Sequence, residues 1–235
     1  MKKPSLVLLP GQLSNARMWT PVATLLQDVC EAHIAEQNRA AATSIADIAT
    51  DVLQQLPERC TLVAHGMAGF IAFEILRRSP ERIAAIALLG TLAPADNAAQ
   101  TARRERYLEL VSAGRFLEII DERIPVVVHP QRLTDPAVAT VVRQMAVETG
   151  AEVFVRQTRA IIGRIDSRAT LATIRCPTVL IWGRQDGMAT EAHQLEMRAA
   201  IADATLEVLE DTGHFSSLER PAAVAAILRR LLDRG

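Results

Sequence analysis

The stretch Leu62 to Gly69, LVAHGMAG, crowds small residues around one point: Ala64, Gly66, Ala68 and Gly69. A chain that turns sharply from a strand into a helix needs such neighbours, because one residue is held in a strained backbone conformation above the sheet. In the small-x-nucleophile-x-small pattern that residue carries the attacking side chain. Here it is Gly66, which has none. The segment that follows, FIAFEILRRSPERI, reads as a helix whose first N–H groups point at any negative charge developing over the turn. Everything for holding an oxyanion is present except the hydroxyl that would create it.

Such a turn works only on a sheet. Short apolar runs alternate with helical patterns along the chain, and the strands expected are Leu6 to Leu9, Cys30 to Ala35, Thr61 to Ala64, Ile83 to Leu89, Thr178 to Trp182 and Thr205 to Leu209. Most are continuously apolar, as strands buried on both faces should be. Ser44 to Leu56 places Ile45, Ile48, Ala49, Val52 and Leu53 on one helical face, with Ser44 as N-cap. ATEAHQLEMRAAI and PAAVAAILRRLLDRG read as two later helices, the second opening at Pro221. Between Pro94 and Leu171 the alternation stops, and charged helical segments run on without a strand. Helical hairpins over a sheet would look like this and would roof a pocket, whereas an independent helical domain or an oligomer contact is the plainer reading. The expectation is an α/β fold, a doubly wound parallel sheet formed by 1–93 and 172–235, with 94–171 as a helical cap insertion.

A chain of 235 residues, 49% hydrophobic and 23% charged, is enough for one well-buried domain. Its net charge of −1 gives no electrostatic reason to expect nucleic acid or an anionic membrane, so a small-molecule substrate is the expected partner. The run Leu6 to Leu9 is too short for a secretory h-region, and no run approaches the ~18 apolar residues of a membrane helix. Cys30, Cys60 and Cys176 are far apart and in no metal-type spacing, which suggests packed thiols in a reducing cytoplasm. No metal and no organic cofactor is expected, and the oligomeric state is not legible.

With these motifs the chain resembles the α/β-hydrolases, of the small capped kind that includes enol-lactone hydrolases, C–C bond hydrolases and esterases. LLPGQLSNARMW is similar to the family's segment after the first strand, with Pro10 in place of a histidine; the resemblance implies Gln12 and Met67 as oxyanion-hole donors. LIWGRQDGMAT resembles the segment bearing the triad acid, which implies Asp186, and LEDTGHFSSLERP the segment bearing the base, which implies His214. The chain order of turn, acid and histidine is the one this fold requires. An imidazole held by a buried carboxylate keeps one tautomer and a raised proton affinity, so Asp186 and His214 can still move a proton.

Ser216, Ser217, Cys60 and His65 do not fit the oxyanion geometry as replacement nucleophiles. His129 and His193 read as surface residues, Asp96 as a helix cap or solvated loop charge, and Trp19 as core or pocket lining. Three readings of Gly66 follow. The chain is a hydrolase for a small ester, lactone or related carbonyl compound that has lost its serine by engineering or drift; or a non-covalent enzyme (lyase, cyclase, hydratase or cofactor-free oxygenase) using the His214 base; or a receptor-like protein binding ligand in the old pocket.

Overall fold

The computed structural model describes residues 3–37 and 42–235. Its strands are β1 (Ser5–Leu9), β2 (Glu31–Ile34), β3 (Cys60–His65), β4 (Ile83–Leu89), β5 (Thr178–Gly183) and β6 (Ala204–Leu209). All pairs are parallel, in the order β2-β1-β3-β4-β5-β6. The chain winds outward from β1 to β2, then returns to β3 on the other side of β1. The loops after β1 and β3 therefore part, leaving a crevice at the carboxyl ends of the strands.

Period-two alternation sends each strand's side chains to two layers. Val7, Leu62, Ala64, Ile86 and Leu88 face one layer, packed by α2 (Ile45–Gln55), α3 (Ala68–Arg78) and α8 (Glu191–Ala200). Leu6, Leu8, Val63, Ala87 and Leu89 face the other, packed by α1 (Thr20–Leu26) and α10 (Pro221–Leu232). Each fully buried Leu, Ile, Val or Phe side chain contributes about 1.5–3 kcal/mol relative to leaving it in water. The Ser44 hydroxyl accepts from Asp47 N at 3.1 Å, so α2 starts where its capping residue predicts. Strands β2 and β6 are partly exposed, unlike the buried runs of β1, β3, β4 and β5, because each edge strand has one neighbour instead of two.

Between β4 and β5 lie α4 (Ala98–Ser112), α5 (Phe116–Val127), α6 (Val141–Ile162) and α7 (Arg168–Leu171), and no strand among the described residues. These helices build a third core around Tyr107, Ile119, Ile120 and Phe154, which also takes in Leu13 from the loop after β1. Gly150 leaves helical geometry inside α6 at φ 80° and ψ 166°, a kink that only glycine accepts without strain. The short helix α9 (Ser216–Glu219) links the loop after β6 to α10. No described helix is long and apolar enough to cross a membrane.

Candidate active site

Gly66 follows β3 at φ +53°, the left-handed region that costs a residue with a side chain roughly 1–2 kcal/mol. Its N–H donates to the Leu89 carbonyl at 2.8 Å, and its carbonyl accepts from Thr91 Oγ1 at 2.8 Å. The turn is thus pinned to the end of β4. Gly69 is needed for the same closeness: a Cβ there would meet Thr91 Oγ1 at 2.0 Å. Helix α3 opens at Ala68, and the first amides of a helix have no intrahelical acceptor.

Asp186 hangs from the loop after β5. One carboxylate oxygen, Oδ1, accepts from the amides of Met188 at 2.7 Å and Ala189 at 3.1 Å, and Oδ2 lies 2.8 Å from His214 Nδ1. The carboxylate side chain is fully buried. An ionised carboxylate only accepts, so Nδ1 carries the imidazole proton and Nε2 is left as the basic nitrogen. His214 N donates to the Val127 carbonyl at 2.9 Å, which fixes the loop after β6 beneath α5. The Nε2 atom faces the turn. A Cβ built on Gly66 would lie 3.0 Å from it.

Gly90, which the sequence reading passed over, makes the Asp186–His214 pair possible. It sits at φ +55° directly after β4, and a Cβ there would come within 2.8 Å of both Asp186 Oδ2 and His214 Nδ1. The only signal for it in the sequence is a glycine ending the run IALLG. His65, one residue before the turn, is buried with its ring 4.4 Å from that of His214. Its Nε2 donates to the His214 carbonyl at 3.0 Å, leaving Nδ1 without a partner. Burial, then the neighbouring His214 charge, pushes its pKa down to about 3.

These groups open into a pocket, to which Gln12, Gly66, Met67, Thr91 and His214 contribute from the sheet side. Helices α4 to α6 contribute Arg104, Ile120, Arg123 and Val142, among others. The Gln12 side chain bridges the two sides, donating from Nε2 to Thr158 Oγ1 at 3.0 Å and accepting at Oε1 from Arg123 Nη1 at 3.1 Å. Burial pushes the Arg123 guanidinium down to about 10, and the positive Arg104 nearby adds to this. Neither arginine was singled out from the sequence.

Other expectations fare differently. Trp19 is fully buried among the residues packed under the sheet and does not line the pocket. Asp96 is no solvated loop charge or helix cap: its buried carboxylate pairs with Arg104 at 2.7 Å and Arg164 at 2.8 Å. His129 is buried rather than exposed: its backbone N–H donates to Glu219 Oε2 at 3.2 Å, and its ring Nδ1 accepts from Gln131 N at 3.2 Å. His193 serves as part of the capping box of α8 and is partly exposed. Ser216 and Ser217 are buried in α9. The three cysteines are free thiols; burial raises Cys60 to about 11, far from a reactive thiolate.

A six-stranded parallel sheet wrapped by helices, with a glycine-crowded strand-to-helix turn facing a carboxylate-held histidine, defines a protein of α/β-hydrolase architecture. Residues 6–227 match the model of the alpha/beta hydrolase family, and the chain belongs to that family. It is similar in structure to a thermophilic esterase from Thermogutta terrifontis, with a TM-score of 0.89 at 22% identity, covering 99% of this chain and 90% of that one. It is also similar to the enol-lactonase from Burkholderia xenovorans LB400, with a TM-score of 0.88 at 22% identity over 99% and 92% of the two chains. In sequence it is 24% identical over 250 residues to a putative carbamate hydrolase of Variovorax paradoxus, spanning 97% of this chain and 90% of the relative.

Proposed function

We propose that the protein is a hydrolase-type enzyme for a small ester, lactone or related carbonyl compound, working without an acyl-enzyme. The observation that carries this reading is the position of His214: its Nδ1 is 2.8 Å from Asp186 Oδ2, and its Nε2 lies 3.0 Å from the point where a side chain on Gly66 would begin. The base is intact and occupies the approach that a nucleophile would need. A water molecule over Gly66 gives its proton to His214 Nε2 as its oxygen bonds to the substrate carbonyl carbon. The carbonyl oxygen takes the negative charge, held by the Gln12 and Met67 amides. As the tetrahedral adduct collapses, the carbon–oxygen bond to the leaving group breaks, and the imidazolium proton passes to that oxygen. Acid and alcohol leave, and Asp186 steadies the transient imidazolium throughout. Helices α4 to α6 act as the roof over this site.

The test is steady-state and single-turnover hydrolysis of a short p-nitrophenyl ester by the native chain and by Gly66→Ser, each with and without His214→Ala. The native chain is expected to show slow, His214-dependent turnover with no burst. Gly66→Ser is expected to gain activity with a burst, by up to about 10⁶, the scale of a serine nucleophile in a triad. That gain requires the His214 ring to give way by the few tenths of an ångström that a Cβ 3.0 Å from Nε2 demands. Native turnover independent of His214, or a ligand that is bound and released unchanged, sinks the reading.

A further inference from the structure

The pocket is apolar on most of its surface, yet two guanidinium groups reach it and, among the described residues, no aspartate or glutamate lines it. Arg104 is accounted for: its Nε donates to Asp96 Oδ2 at 2.7 Å, while Asp96 Oδ1 takes Arg164 Nη1 at 2.8 Å. One carboxylate already serves two arginines. Arg123 is different. Among the described residues no carboxylate lies within ion-pair distance of it, and its hydrogen-bond partner is the neutral Gln12 Oε1. The adjacent Glu122 faces away, engaged by Arg106 and by Tyr107 Oη at 2.9 Å.

A partly buried cation without a counter-charge is costly, and the cost is recovered when an anion is brought to it. The planar guanidinium suits a carboxylate, which it can take with two parallel N–H groups. A single uncompensated guanidinium also matches one negative charge better than the two of a phosphate monoester. We infer that the substrate carries a free carboxylate in addition to its reacting carbonyl, and that Arg123 receives it with Arg104 beside it. The inference rests on reading this pocket as the substrate site of the proposed hydrolase.

Gln12 also sets how far apart the two groups of the substrate lie. Its backbone is the candidate oxyanion donor, and its side-chain oxygen is 3.1 Å from Arg123 Nη1. A glutamine side chain reaches only roughly 5 Å, so Arg123 and the oxyanion position lie along one short span of the pocket, and a short tether joins carboxylate to carbonyl. The substrates expected are half-esters of short dicarboxylic acids and lactones bearing a carboxylate arm. The same hydrogen bond makes Arg123 a positioning group for the Gln12 loop as well as an anchor.

Binding of non-hydrolysable ketones separates this inference from the reaction itself. By calorimetry on the intact protein, 5-oxohexanoate is expected to bind at least about tenfold more tightly than neutral 2-hexanone, a charge-assisted hydrogen bond being worth that much or more. Arg123→Gln should abolish the preference, and Arg123→Lys should keep part of it, with melting curves that show both variants cooperatively folded. Equal binding of acid and neutral ketone, no detectable binding of the acid, a preference that survives Arg123→Gln, or tighter binding of ethyl phosphate would each overturn it. Ester hydrolysis assayed in the same preparations keeps the two ideas apart. His214-dependent turnover without an acid preference removes the carboxylate subsite alone, and an acid preference without turnover removes the reaction alone.

Discussion

The two walls of the pocket are held by different means. On the sheet side, each group sits within a few residues of a strand end and is fixed largely through the backbone: Gly66 by the Leu89 carbonyl, Asp186 by two amides, His214 by the Val127 carbonyl. On the helical side, Arg104 and Arg123 are fixed through side chains, by the Asp96 carboxylate and the Gln12 amide oxygen. Backbone anchoring gives the Asp186–His214 pair a rigid seat, provided that Gly66 and Gly90 carry no side chains. Side-chain anchoring on the helical side depends on single residues, so one substitution there acts on that wall and leaves the backbone contacts at the strand ends in place.

The difference implies that chemistry and stability can be removed separately. His214→Ala should lower turnover by about 10² to 10⁴, the range of a general base, while leaving the unfolding midpoint nearly unchanged. A large loss of stability in that variant would erase the distinction, since the ring would then be part of what holds the loops together. Asp96→Asn should do the reverse. It leaves Arg164, whose side chain is 2% exposed, without its counter-charge, and the expected loss is about 3–5 kcal/mol by urea denaturation. A loss below about 1 kcal/mol, the scale of a surface pair, would mean that water reaches the cluster.

The sequence revealed the two walls to different degrees for a related reason. Strands β1, β3, β4 and β5 are apolar runs because both their faces are buried, and α2 declares its start through Ser44. Asp186 and His214 stand in local motifs at strand ends, where position along the chain nearly fixes position in space. Asp96 and His129 carry no such mark. The Arg164 that pairs with Asp96 and the Glu219 that accepts the His129 backbone N–H are 68 and 90 residues away, so neither side chain gave a sign of being buried. Arg104 and Arg123 look like ordinary charges on solvated helices, and only the packing of α4 to α6 turns them inward. Trp19 was ambiguous between core and pocket, and the neighbouring core of α1 claims it. Gly66 and Gly90 show the limit most clearly. A glycine announces permission for a tight approach, but what approaches it, here His214 and Asp186, comes from the far end of the chain.

His65 offers the smallest and most graded probe, because it packs behind His214 and does not line the pocket. Its Nε2 is tied to the His214 carbonyl, and its ring packs against His214 and Phe215, with Asp186 the nearest acid acting on it. Its folded pKa is depressed from an ordinary 6.5 to about 3, chiefly by burial and next by His214. Below 6.5 the unfolded chain therefore binds a proton that the folded one refuses. Stability present at neutral pH is lost as the pH falls from 6.5 towards 3, by up to about 1.4 kcal/mol per pH unit from this one group. Urea unfolding of the native chain and of His65→Gln at pH 7, 6, 5 and 4 isolates its share, since titrating carboxylates contribute equally to both. The native curve should fall more steeply than the variant's across that window. Parallel curves would mean that His65 takes up its proton in the folded state, and the wall behind His214 would then be a polar, yielding surface instead of the dry support on which the proton-transfer geometry depends.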